Sequence, residues 1–167
     1  MKTFQDLQEG VYDPNILKAF FLAGGPGSGK SYVVKRGTGG LGLKIVNSDD
    51  VFEKYLKDAG LSMKMPKSEE EPRDKLRDKA KSVTKSRMTN YVEGRLGLII
   101  DGTGKEYDKI AKQATQLKQL GYDVHMIFVN TSLETALKRN AKRERTVPRS
   151  IATKSWKTVQ SNMGKFS

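Results

Sequence analysis

The 167-residue chain contains no cysteine, one tryptophan, one histidine and only five prolines. Without cysteine there is no disulfide framework, no thiolate nucleophile and no sulfur-built metal site, and nothing points to an oxidising compartment. The lone histidine, His125, sits between Val124 and Met126 in an apolar run, which marks it as structural. Long hydrophobic runs are missing too, since nothing approaches the roughly 20 apolar residues of a membrane span. The opening MKTFQDLQEG is too polar for a secretory leader. A cytoplasmic protein without membrane contact is the expectation. Acid is scarce relative to base, 19 residues against 31, for a net charge of +12. The imbalance concentrates at the end, where residues 138–167 hold nine bases and one acid, Glu144. Such a segment suits nucleotide phosphates or a nucleic-acid backbone, although a solvated charged surface has the same composition.

Glycine is plentiful where it matters. The apolar run Phe20-Phe21-Leu22-Ala23 breaks into Gly24-Gly25-Pro26-Gly27-Ser28-Gly29-Lys30-Ser31. The spacing satisfies G-x-x-x-x-G-K-[ST], a phosphate-binding loop, in its required context of a strand before and a helix-compatible segment after. Gly24, Gly25, Gly27 and Gly29 allow a compact turn whose backbone N–H groups point at an anion, so that Gly25, Pro26, Gly27, Ser28 and Gly29 line the nucleotide phosphates with the dipole of the following helix behind them. Lys30 supplies a point charge for the β- and γ-phosphates, and the Ser31 hydroxyl a ligand for magnesium. ATP and Mg²⁺ are the expected cofactors. A glycine-rich surface turn is the bland alternative.

Taken in order, residues 1–17 read as a lead-in with a turn at Asp13-Pro14, followed by a strand at Ala19–Ala23. A short helix, Ser31–Arg36, is broken by the second glycine cluster Gly37-Thr38-Gly39-Gly40-Leu41-Gly42, which reads as a mobile connection. A strand at Leu43–Val46 runs into Asn47-Ser48-Asp49-Asp50. Residues 51–95 form a helical insertion: a helix over Val51–Asp58, a charged segment Pro66–Pro72, and a long helix from Arg73 to Glu93. That last helix has thin apolar content, so it is expected to lie over a cleft incompletely buried. The strand Leu96–Ile100 ends at Asp101. A helix at Tyr107–Leu120, a strand at Tyr122–Val129, a capping box at Thr131-Ser132-Leu133-Glu134 opening a basic helix, and a last helix with Ala152, Trp156, Val159 and Met163 on one face complete the chain. Continuous apolar strands alternating with helices imply one doubly wound α/β domain around a parallel sheet of four to five strands. The chain stops where a fifth strand would be added, which leaves that strand absent or the sequence truncated.

Gly102 stands beside Asp101 where a hydrolysing machine would carry a water-orienting glutamate, and no Asn-Lys-x-Asp guanine loop exists. A phosphotransferase remains. GGPGSGKS at 24–31, NSDD at 47–50, IIDGT at 99–103, GYDVHMIFV at 121–129 and LKRNAKRERTVP at 137–148 together resemble the small P-loop kinases that include polynucleotide 5′-kinase domains and zeta-toxin-like kinases. The resemblance implies a three-layer P-loop kinase fold over residues 1–167, with 51–95 on the acceptor side and 138–148 as an arginine-rich lid. It also implies transfer of the ATP γ-phosphate to a hydroxyl of a nucleotide-like or polynucleotide acceptor. By motif position Asp49 is the general base, with Asp50 as the neighbour that is easily mistaken for it, and either aspartate also suits a helix N-cap. Asp101 corresponds to the acid that contacts acceptor or magnesium shell, with Thr103 beside it. Arg143, then Arg139 and Arg145, are the lid arginines for the phosphates. One departure stands out: the arginine that polynucleotide kinases carry shortly after the base is missing from Asp49-Asp50-Val51-Phe52-Glu53. Arg73, Arg77, Arg87 or Arg95 is left to meet the acceptor. Asp-Gly-Thr leans toward the zeta-toxin-like side, whose acceptors are nucleotide sugars. A nucleoside-monophosphate kinase, or a nucleotide-gated nucleic-acid-binding module using the basic C-terminal third, are the alternatives.

Overall fold

The computed structural model describes residues 16–37 and 41–166, so the expected lead-in turn at Asp13-Pro14 and residues 38–40 of the second glycine cluster lie outside it. The described elements are β1 (Lys18–Ala23), α1 (Lys30–Gly37), β2 (Lys44–Val46), α2 (Ser48–Asp58), α3 (Glu70–Glu93), β3 (Leu98–Asp101), α4 (Tyr107–Gln119), β4 (Asp123–Phe128), α5 (Leu133–Ala141) and α6 (Arg149–Asn162), with short 3₁₀ turns at Lys67–Glu69 and Met163–Lys165. Four strands form one parallel sheet in the order β2-β3-β1-β4. Its register sets Leu22 beside Asp101 and Ala23 beside Phe128. The C-terminal ends of β1, β2 and β3 therefore lie together, where open parallel sheets take their ligands.

Alternation along the strands divides the apolar residues between two faces. Ala19, Phe21, Val46, Leu98 and Leu117 pack on one side with Ile110 and Ala114 of α4 and Met88, Tyr91 and Val92 of α3. Leu22, Ile99 and Ile127 pack on the other with Val34 of α1 and Leu43. Helices thus cover both faces of the sheet, giving three layers, as a P-loop kinase fold requires. A third cluster unites Val51, Phe52 and Leu56 of α2 with Leu76, Ala80 and Val83 of α3. The polar helix α3 is therefore shared: its first half closes over α2 and its second half over the sheet. Only Ala80 on it is fully buried, in line with its thin apolar content.

Several boundaries moved for identifiable reasons. α3 starts at Glu70, before Pro72, because the N–H groups of a first helical turn have no intrahelical partner and a proline there forfeits nothing. The cap of α5 is Ser132 and not Thr131; its Oγ accepts from the Thr135 amide at 3.2 Å. On α6, Ala152 and Val159 are buried as expected, whereas Met163 is 42% exposed and Asn162 takes its place inside, donating to the Gly104 and Lys105 carbonyls. β4 is an edge strand, so His125 is half exposed; its Nε2 donates to Asp123 at 2.9 Å while its ring stacks on Phe20. No described helix is long and apolar enough to cross a membrane.

Candidate active site

The glycine-rich loop is built from backbone outward. Gly27 and Gly29 adopt φ of 78° and 104°, values that side-chain-bearing residues rarely take. A Cβ on Gly27 would also strike the Ala136 carbonyl of α5, and one on Gly24 would come within 2.9 Å of the Val129 carbonyl. The loop therefore rests directly on α5 and the end of β4, while Trp156 of α6 lies 3.4 Å from where a Gly25 Cβ would be. The Gly24 amide donates to the Thr103 carbonyl and the Gly102 amide to the Leu22 carbonyl, stitching the loop to the end of β3. Arg139 crosses from α5 to donate to the Ser28 carbonyl at 3.2 Å. Among the described residues the amides of Gly29, Lys30 and Ser31 meet no acceptor and are left for an anion.

Lys30 folds back to donate to the Gly24 carbonyl at 2.7 Å. Burial pushes its ammonium below the ordinary lysine range, against the pull of Asp101 and Asp49 and with the help of Arg143. Asp101, the last residue of β3, is pushed up by burial, opposed by Lys30 and reinforced by Asp49 and Asp50. One of its oxygens, Oδ1, is buried with no partner among the described residues; the other accepts from Asn47 Nδ2 at 3.1 Å. A cation with hard-oxygen preference suits that orphaned carboxylate oxygen, and Ser31 Oγ offers a second ligand from the start of α1. No group of three or more His, Cys, Asp and Glu side chains with metal-site spacing exists among the described residues. Magnesium commonly asks less, taking one or two protein ligands together with substrate phosphate oxygens.

A cluster of carboxylates and arginines beside the loop is assembled from four elements. Asn47, not either aspartate, is the N-cap of α2, its Oδ1 accepting from the Asp49 amide at 2.8 Å. That cap, worth about 1 kcal/mol, frees the Asp49 carboxylate for other partners. Arg77 of α3 donates to Asp49 Oδ1 at 3.3 Å and lies 4.2 Å over the Phe52 ring. Arg145, from the segment between α5 and α6, approaches Asp49 Oδ2 at 3.1 Å and Glu53 at 2.6 Å. Asn47 Nδ2 donates in addition to Asp50 at 3.3 Å, whose carboxyl is raised first by burial, then by Glu53 and Asp49.

Lys30, Asp49, Asp101 and Arg143 are thus brought into one electrostatic neighbourhood. Arg143 makes no ion pair among the described residues, but its charge is felt at Lys30, Asp50 and Asp101. Arg139 and Arg143, four residues apart, do not share a helical face, because α5 ends at Ala141 and Arg143 lies beyond it. Arg145 faces the acceptor-side carboxylates and not the loop. Of the four arginines left for the acceptor, only Arg77 reaches Asp49. Arg73 binds the Met65 and Pro66 carbonyls, Arg95 precedes β3 at its far end, and Arg87 is exposed ten residues along α3. Thr103 is exposed and contributes its carbonyl to the loop. Asn47, which contacts Asp101, and Glu53, which contacts Arg145, were passed over by sequence reasoning; Asn47 was visible there only as one of four cap-capable residues in Asn47-Ser48-Asp49-Asp50.

No curated protein matches the chain in sequence. Among solved structures it is similar to a chain of the Pnkp1/Rnl/Hen1 RNA repair complex, with a TM-score of 0.69 and 18% identity over 99% of this chain and 49% of that one. It is likewise similar to AvrRxo1-ORF1:-ORF2 with ATP, at a TM-score of 0.69 and 16% identity over 89% of this chain and 49% of that one. A third likeness is to the PezAT chromosomal toxin–antitoxin system of the human pathogen Streptococcus pneumoniae, at a TM-score of 0.55 and 20% identity over 74% and 51% of the two chains. At these identities the likeness is one of fold, and this chain spans about half the length of each solved chain. The zeta toxin family model matches residues 5–166, a span that takes in the phosphate loop, Asp49, Asp101 and the arginine segment together, and the chain belongs to the zeta toxin family.

Proposed function

We propose that this domain is an ATP-dependent phosphotransferase that moves the γ-phosphate to a hydroxyl of a nucleotide-like or polynucleotide acceptor. The observation that carries this reading is the convergence on one side of the sheet of an anion-ready loop and a carboxylate, Asp49, held by arginines and not spent on capping. The loop amides and Lys30 hold the phosphates, with Lys30 leaving the Gly24 carbonyl for the incoming anion. Bound Mg²⁺, held by Ser31 and Asp101, would supply charge neutralisation at the β- and γ-oxygens. Asp49 accepts the proton of the acceptor hydroxyl as its oxygen bonds to the γ-phosphorus and the β–γ bridge oxygen departs with ADP. For this, the hydroxyl takes the place of one guanidinium at Asp49. Arg77 is the better candidate to give way, since its side chain is 34% exposed and that of Arg145 only 6%. Once released, Arg77 stands beside the acceptor as an anion-binding group, which favours acceptors carrying phosphate next to the reacting hydroxyl.

A nucleotide-sugar acceptor is the second reading, favoured by membership of the zeta toxin family. It uses the same Asp49 and the same Arg77. Incubation with γ-labelled ATP and 5′-hydroxyl DNA and RNA, nucleoside monophosphates and nucleotide sugars separates the acceptors. Labelling of none of them, with ATP binding intact, would overturn the phosphotransferase reading and leave a nucleotide-gated binding module.

A further inference from the structure

Residues 138–148 invite description as a lid that swings over bound nucleotide. The structure shows a pinned loop. Asn140, in the last turn of α5 and only 5% exposed, donates from Nδ2 to the Val147 carbonyl at 2.7 Å and accepts from the Val147 amide at Oδ1, 3.2 Å away. A single buried side chain thus replaces a pair of backbone ladder bonds and closes residues 141–147 into a ring. Its backbone carbonyl takes the Arg143 amide at 3.3 Å, and the Arg139 carbonyl takes that of Lys142 at 3.2 Å, so the turn after α5 is fixed from both ends. Pro148 and the start of α6 follow Val147 immediately and prevent the far end from drifting.

The closed loop has a directed consequence. Arg145 at its outer side is buried, with Nε on Glu53 and Nη2 on Asp49, and Glu144 meets Lys57 at 3.2 Å. The Glu144–Lys57 pair is exposed and contributes little. The Arg145 contacts span from α2 to the α5–α6 loop and are made with a desolvated guanidinium, whose orientation is fixed only if the loop is. Arg143, two residues earlier, is exposed on the same loop, and its charge is felt at Lys30 and Asp101.

We propose that Asn140 is a positioning residue that presets the arginine loop carrying Arg143 and Arg145, so that Arg145 holds Asp49 before any nucleotide arrives. This rests on the phosphotransferase reading for its benefit to catalysis, but the preset state itself is a property of the empty protein. Asn140 touches neither phosphate nor Asp49 and acts through the loop alone.

The segment is rich in tryptic sites, Lys142, Arg143 and Arg145, so limited proteolysis reads its closure directly in the empty protein. Cleavage at 142–145 should be slow in the wild type and about tenfold faster in Asn140→Ala, because cleavage tracks the population of the open form. Cooperative melting of the variant separates loop opening from global unfolding; if Asn140→Ala fails to melt cooperatively, Asn140→Ser is read the same way. Magnesium ATP should change wild-type cleavage by no more than about twofold, since a preset loop has little left to close. Equal cleavage of wild type and variant would overturn the proposal, and so would about tenfold protection of the wild type by magnesium ATP, the sign of a swinging lid. Binding of a fluorescent ATP analogue is measured alongside. If it is absent the phosphotransferase reading fails, while the comparison of wild type with Asn140→Ala still decides the loop. Where transfer is measurable, Asn140→Ala should slow it about tenfold alone yet cost nothing further in an Arg143→Ala, Arg145→Ala background, a non-additivity that a general packing defect would not produce.

Discussion

The phosphate side and the acceptor side of this site are built by different means. The phosphate side is local: eight consecutive residues, 24–31, supply the turn, the amides, the lysine and the hydroxyl, and the neighbouring helices only support them. The acceptor side is composite. Asp49 on α2 is held by Arg77, 28 positions away on α3, and by Arg145 from the loop beyond α5; Glu53, which shares Arg145, lies 92 positions from it. A local device is robust to drift elsewhere in the chain, whereas a composite one changes whenever any contributing element shifts. On the proposed reading, the donor half can therefore stay constant while the acceptor half varies.

The sharpest way to break that contrast is Asp49→Asn. Transfer to the acceptor should fall by roughly 10²–10⁴, with ATP affinity unchanged by equilibrium titration; a joint loss of both would mean the halves are not separable. Arg143→Ala comes next, with an expected loss of about 10³ in kcat. Because the Arg143 charge is felt at Lys30 and not spent on an ion pair among the described residues, the same variant should slow any ATP hydrolysis in the absence of acceptor, which Asp49→Asn should spare. Arg77→Ala should raise the acceptor KM about tenfold, the worth of one charged hydrogen bond, with little change in the KM for ATP. Loss of kcat alone would instead assign Arg77 to holding the base.

The smallest effect concerns stability. Asp101 carries a buried oxygen with no partner among the described residues and a carboxyl raised by burial, so its ionised form costs the empty protein stability at neutral pH. Asp101→Asn removes that charge and should raise the melting temperature by about 2–4 °C while abolishing efficient transfer. The sign with pH follows. The folded protein takes up the Asp101 proton at higher pH than the unfolded chain does, so the wild type regains stability as pH falls toward the ordinary carboxylate range. The advantage of Asp101→Asn should shrink over the same interval in calorimetric scans. An advantage independent of pH would place its origin outside the charge.

What was legible in the sequence follows the same division. The strand at Ala19–Ala23, the loop, the third strand ending at Asp101 and the helix from Tyr107 declare themselves through local period and punctuation. Asn47-Ser48-Asp49-Asp50 offered four residues able to cap, and no local rule chooses among them; the choice is made by Asp101, 54 positions away, which takes the other end of the Asn47 amide. Arg139, Arg143 and Arg145 looked equivalent in sequence. They separate because α5 ends at Ala141: Arg139 on the helix reaches the Ser28 carbonyl, Arg145 in the loop beyond reaches Asp49, and Arg143 between them is exposed with its charge felt at Lys30. The exposed half of β4 was hidden because edge position depends on strand order and not on composition.

Trp156 rests against Gly25 and is tethered through its indole N–H to the Thr131 carbonyl at 2.9 Å, and the chain has no other tryptophan. Its emission comes from one place only, the underside of the loop. Nucleotide in the loop should change the field at that indole, so intrinsic fluorescence of the unlabelled protein is expected to follow nucleotide occupancy in stopped-flow work without a dye or a mutation.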